Sequence, residues 1–143
     1  MHDMTTKVLL AIVAAGNAVV GLWAALAPQS FYDDFPGAGR NWVSADGPFN
    51  EHLVRDVGAL NLALAAVVLA ALVRPSRYLV QVAAGAELVY SLPHFLYHAT
   101  HLEPYEGSDK VALLVSLSVT IVVPIVLLVR SSRVPNEAIT RVA

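Results

Sequence analysis

Val111-Ala-Leu-Leu-Val-Ser-Leu-Ser-Val-Thr-Ile-Val-Val-Pro-Ile-Val-Leu-Leu-Val129 contains no ionisable side chain. A helix needs about 20 such residues to cross ~30 Å of hydrocarbon, so this run reads as a membrane span. Three more runs nearly free of charge match it in length: Val8–Ala27, Leu53–Val73 and Leu79–His98. Together they imply an all-α fold, a four-transmembrane-helix bundle in up-down-up-down order, forming a single integral membrane domain over residues 1–143.

Composition agrees. At 57% hydrophobic and a mean hydropathy of +0.61, the chain is more apolar than ordinary soluble domains. A net charge of −2 with scattered Lys and Arg supplies no basic stripe for nucleic acid. The absence of cysteine excludes disulfides, thiolate metal sites and cysteine nucleophiles. Lys7 followed by an apolar run ending Ala25-Leu26-Ala27 resembles a signal sequence, but the run exceeds the ~7–15 residues of a signal core and Pro28 would follow the cut. It reads as a retained first span. Its Ala14, Ala18, Gly21 and Ala25 suit close packing in lipid, and Asn17 beside them is expected to bond to a neighbouring helix.

Residues 28–50, with Pro28, Pro36, Pro48, Gly37, Gly39 and Gly47, read as a long outer loop too broken for helix. Phe31, Tyr32, Phe35, Trp42 and Phe49 suggest that it lies at the membrane interface. It either folds over the helix mouths as a lid or simply anchors there.

The second span opens with Asn50 as N-cap and Glu51 in the first turn. His52, Arg55 and Asp56 share a face whose continuation is Ala59, Ala63, Ala66 and Ala70. Read as a packing seam, those alanines turn the polar group inward, while Asn61 points elsewhere. In the third span, Glu87, Tyr90, His94, His98 and His101 fall within roughly 80° of arc at about 100° per residue, with Pro93 just before His94. Ionisable groups inside apolar segments are partnered or functional by default. Lys7, Arg74, Arg77, Arg130, Arg133 and Arg141 all lie on one side of the bundle, which predicts a cell-membrane protein with both termini cytoplasmic.

Imidazoles one turn apart can share a metal ion. The expected ligands are His52, His94, His98, His101 and Glu51, with Arg55, Asp56, Glu87 and Tyr90 as supporting or proton-relay groups. Ligand type admits zinc, copper or iron. Three uses stay open: an outward-facing site between the second and third spans for a divalent metal or redox cofactor, an organic-ligand or proton-relay site, and a structural polar network in a non-catalytic accessory subunit. Expected partners are the lipid bilayer and a homo-oligomer or larger membrane complex. Whether any reaction is catalysed is not legible.

The pattern Gly47-Pro48-Phe49-Asn50-Glu51-His52-Leu53-Val54-Arg55-Asp56-Val57-Gly58, followed by the Pro93-His94 helix, resembles a group of small four-helix membrane proteins of actinobacteria, broadly similar to the DoxX-like class. The resemblance implies the four-helix layout over most of the chain. The class is functionally heterogeneous and carries no catalytic residue onto this sequence.

Overall fold

The computed structural model describes residues 4–132, so Arg133 and Arg141 of the charge argument lie outside the described residues. Four long helices, α1 (Met4–Leu26), α4 (Glu51–Val73), α5 (Arg77–Thr100) and α6 (Ser108–Ser132), are each long and apolar enough to span a bilayer. Their order is up-down-up-down. Neighbours close a ring, α1 on α4, α4 on α5, α5 on α6 and α6 back on α1.

Local signals set the helix ends. Asn50 accepts from Leu53 N at 3.1 Å and Ser76 from Leu79 N at 3.1 Å, each side chain satisfying an otherwise unpaired donor of a first turn. α5 runs through Pro93 as one helix.

The connection between α1 and α4 corrects the sequence reading. It is not helix-free: it holds α2 (Pro28–Asp34), a short hairpin of β1 (Pro36–Gly37) and β2 (Arg40–Asn41), and α3 (Trp42–Asp46). Pro28 starts α2 instead of breaking it, because proline at the first helical position has the right φ and lacks only an amide that would be unpaired there. Gly37 and Gly39 supply the positive φ of the hairpin turn (97° and 75°). Ring contacts among Trp23, Phe31, Phe35 and Trp42, edge-on except for the tilted Phe31–Phe35 pair, fasten this folded segment to the end of α1.

The closest helix contact joins α1 to α4. A Cβ on Gly58 would lie 2.5 Å from Ala25 N, and one on Gly21 would lie 2.9 Å from Leu62 N. α4 therefore buries Val54, Gly58, Asn61, Leu64, Val68 and Ala71. The expected alanine seam is on the other side: Ala59, Ala63, Ala66 and Ala70 are exposed. The α1 stripe of Ala14, Ala18, Gly21 and Ala25 does face inward, with Gly21 buried and the alanines partly so.

The bundle interior is unequal along its length. On the side of the chain ends, Leu10, Val68, Ala71, Val80, Ala83, Ala84 and Leu127, drawn from all four long helices, make a continuous apolar core. On the side of the loops the interior is polar and aromatic.

Candidate functional site

That polar interior is organised along α5. Glu87 lies about 15 Å from one end of the helix and about 20 Å from the other at ~1.5 Å per residue, close to mid-span, and is 4% exposed. Asn17 of α1 donates to Glu87 Oε1 at 2.6 Å. This is the interhelical bond expected of Asn17. Toward the loops, Tyr90 lies against the side chain of Asn61 on α4, which is 3% exposed and also donates to Val57 O at 2.8 Å. Tyr90 stacks on His94 at 5.5 Å, His94 meets His98 edge-on at 4.8 Å, and His98 faces Tyr105 at 6.1 Å. One turn of helix separates Glu87, Tyr90, His94 and His98 in succession, so these rungs follow from residue spacing alone, whereas Tyr105 lies beyond the end of α5.

The loop-side end of the ladder is roofed by the segment between α1 and α4. Trp42, Tyr105, Leu113 and Leu117 form a small core against which Phe35, Ala45, Phe95 and Leu102 pack. Tyr105 donates its hydroxyl to the Trp42 carbonyl at 3.2 Å. Burial, with Asp46 nearby as a second cause, pushes the Tyr105 phenol up to about 12. The Asp46 carboxylate is also within electrostatic reach of His94 and His98. Two buried nitrogens, Trp42 Nε1 and His98 Nδ1, have no hydrogen-bond partner among the described residues.

The expected site residues separate into two groups. Glu87, Tyr90, His94 and His98 line the interior as the arc predicted. His52 and Asp56 do not join them. The His52 side chain is 88% exposed and pairs at 3.2 Å with Asp56, itself 61% exposed. Each is two residues, about 200° of helix, from buried Val54, so the face chosen by Val54 and Gly58 turns both away. Arg55 holds Glu51 at 2.8 Å and donates to the Ala25 carbonyl at the end of α1, which makes it a link between helices and not a ladder member. His101 lies at the surface, stacked on Tyr97 at 4.3 Å, with Nδ1 donating to the Tyr97 carbonyl at 2.8 Å.

The expected meeting of His52, His94 and His98 does not occur. Among the described residues no group of three or more His, Asp or Glu side chains is placed to hold a metal ion. Sequence reasoning missed Asp46 and Tyr105. Neither belongs to a periodic run: the fold of the α1–α4 connection carries Asp46 to the histidines, and the turn between α5 and α6 carries Tyr105. The chain matches no protein-family model, no curated protein and no solved structure.

Proposed function

We propose that this small polytopic membrane protein handles a proton through the α5 ladder, with Glu87 as the mid-membrane acceptor and His98, His94 and Tyr90 linking it to the loop face. The observation that carries the reading is Glu87 itself, a carboxyl at mid-span whose side-chain hydrogen bond among the described residues comes from an uncharged amide. A lone charge is costly there, and intramembrane ionisable groups mark proton or ion pathways. The ladder leads from Glu87 in one direction only. Beyond it the apolar core of Leu10, Val68, Val80 and Leu127 separates Glu87 from the next fully buried polar side chains among the described residues, Thr6 and Ser131 near the chain ends. The function is therefore reversible protonation from one face, in keeping with the relay use read from the sequence.

The divalent metal or redox cofactor has less in its favour. His94 and His98 give it two imidazoles one turn apart, and its remaining ligands would have to come from water or a second chain. We further infer that the loop face is outward and the termini cytoplasmic, from the basic side chains of Lys7, Arg74, Arg77 and Arg130.

Infrared titration of the full chain in lipid tests the relay. A carboxyl stretch that responds to bulk pH should be present, absent in Glu87→Gln, and slower to respond to a pH jump in His94→Phe. Identical spectra for wild type and Glu87→Gln would refute the role of Glu87. Stoichiometric zinc retention on dialysis, lost when His94 and His98 are both alanine, would favour the metal reading instead.

A further inference from the structure

The segment over the ladder's end is held by contacts of a kind that can release. Arg40 on β2 forms an ion pair with Asp109 in the first turn of α6, and both side chains are about one-third exposed. The same guanidinium sits 5.8 Å from the Trp42 ring. Tyr105 adds its hydrogen bond to the Trp42 carbonyl, and Tyr32 donates to the Gly47 carbonyl at 2.7 Å, tying the far end of α3 back to α2. Trp42 is only 9% exposed although its indole N–H has no hydrogen-bond partner among the described residues. The ring is wedged into the gap between α5 and α6 by shape, without a polar bond that would fix it there.

We propose that residues 36–47 form a latched cap over the loop-side mouth of the α5 ladder, with Arg40–Asp109 as the latch, Trp42 as the plug and Asp46 as the carboxylate the cap presents to His94 and His98. Several features fit one device. The plug packs against Phe95, one residue from His94, and against Tyr105, which faces His98. The latch spans 69 positions of sequence and joins the cap to a different helix from the one that carries it. When the latch parts, Trp42 and Asp46 leave together because both belong to α3. The mouth then opens, and the histidines lose their only carboxylate neighbour contributed by the cap. What passes the open mouth rests on the relay reading; the existence of the cap does not.

Histidine modification tests the cap without reference to protons. The full chain in mild detergent is treated with diethylpyrocarbonate, and peptide mapping follows His94 and His98 against exposed His52 as internal standard. In the wild type His94 and His98 should react more slowly than His52. Arg40→Ala should quicken them by roughly two- to fivefold, the range that an ion pair of this exposure contributes to a local opening. The chain has no cysteine of its own, so Arg40→Cys with Asp109→Cys can be bridged by a short bis-methanethiosulfonate reagent. Bridging should slow both histidines and reductant should restore them, in one preparation whose folding is thus controlled. Failure of the bridge to form, equal rates with and without it, or His94 and His98 reacting as fast as His52 in the wild type would each overturn the cap.

Discussion

Replacing Gly58 with alanine should damage this protein more than any other single methyl addition at a helix glycine. The added Cβ would stand 2.5 Å from Ala25 N, 2.9 Å from Ala25 Cα and 3.0 Å from Ala24 C. Ordinary contact begins at 3.4 Å, so α1 and α4 must separate by about 1 Å, and all three obstructing atoms are backbone with no rotamer to move. Overpacking of a core costs about 1–3 kcal/mol when side chains can yield. Here the cost belongs at the upper end, about 3 kcal/mol. Separation would also loosen the Arg55 bond to the Ala25 carbonyl. Gly85→Ala is the control: nothing lies within 4 Å of its Cβ position, and alanine gains up to about 1 kcal/mol of helix propensity over glycine. Thermal melts in detergent, followed by helical circular dichroism and size exclusion, should show Gly58→Ala melting well below wild type and Gly85→Ala at or above it. Equal melting of the two variants would mean that α1 and α4 do not touch through Gly58.

Asp56→Ala should cost no more than about 1 kcal/mol, since Asp56 meets only an exposed histidine, whereas Asn17→Ala should cost about 1–3 kcal/mol by stripping the buried Glu87 carboxyl of its hydrogen bond; the same melts rank them, and a larger loss for Asp56 would contradict its outward placement. Folded Tyr105 keeps its proton up to about 12, above the value of 10.0 for a free tyrosine. Its contribution is therefore complete below pH 10 and lost between 10 and 12 as the unfolded chain ionises first. Absorbance titration of phenolate should show a late component that is lost in Tyr105→Phe, and no difference between the two titrations would mean that Tyr105 is wet. For orientation, a cysteine at Ser108 should react with an impermeant thiol reagent on intact cells and one at Ser76 should not; the reverse pattern would invert the topology.

All four spans were legible because burial in hydrocarbon is a property of length and composition, and the observed ends lie within four residues of the runs read from sequence. The arc was legible for Glu87, Tyr90, His94 and His98 for a related reason, since residues on one helix keep their relative angles in any fold, but His101, read onto the same arc, falls just past the end of α5 and lies at the surface. The rotation of α4 was not legible. Its alanines and its glycine are all small, and the choice between them turns on one backbone contact, Gly58 to Ala25, that involves a second helix. The wrong rotation carried His52 and Asp56 inward and with them the three-histidine metal site. The α1–α4 connection was opaque in a different way. Its prolines and glycines read as interruptions, yet Pro28 starts a helix and Gly37 and Gly39 shape a turn, and the aromatics between them supply the packing that folds the segment.

If Glu87 takes its proton from the loop face, as proposed, the apolar core beneath it makes the membrane potential a participant. A charge arriving from the loop face and stopping at mid-span crosses about half of the field, and a full crossing is worth ~2.3 kcal/mol per 100 mV. Half of that is roughly 1.2 kcal/mol, or about a sevenfold change in occupancy for each 100 mV. An energised membrane and a collapsed one would then differ in how fully Glu87 is protonated at the same pH. A side chain tethered to α1 by one hydrogen bond from an amide would thus register voltage as well as acidity.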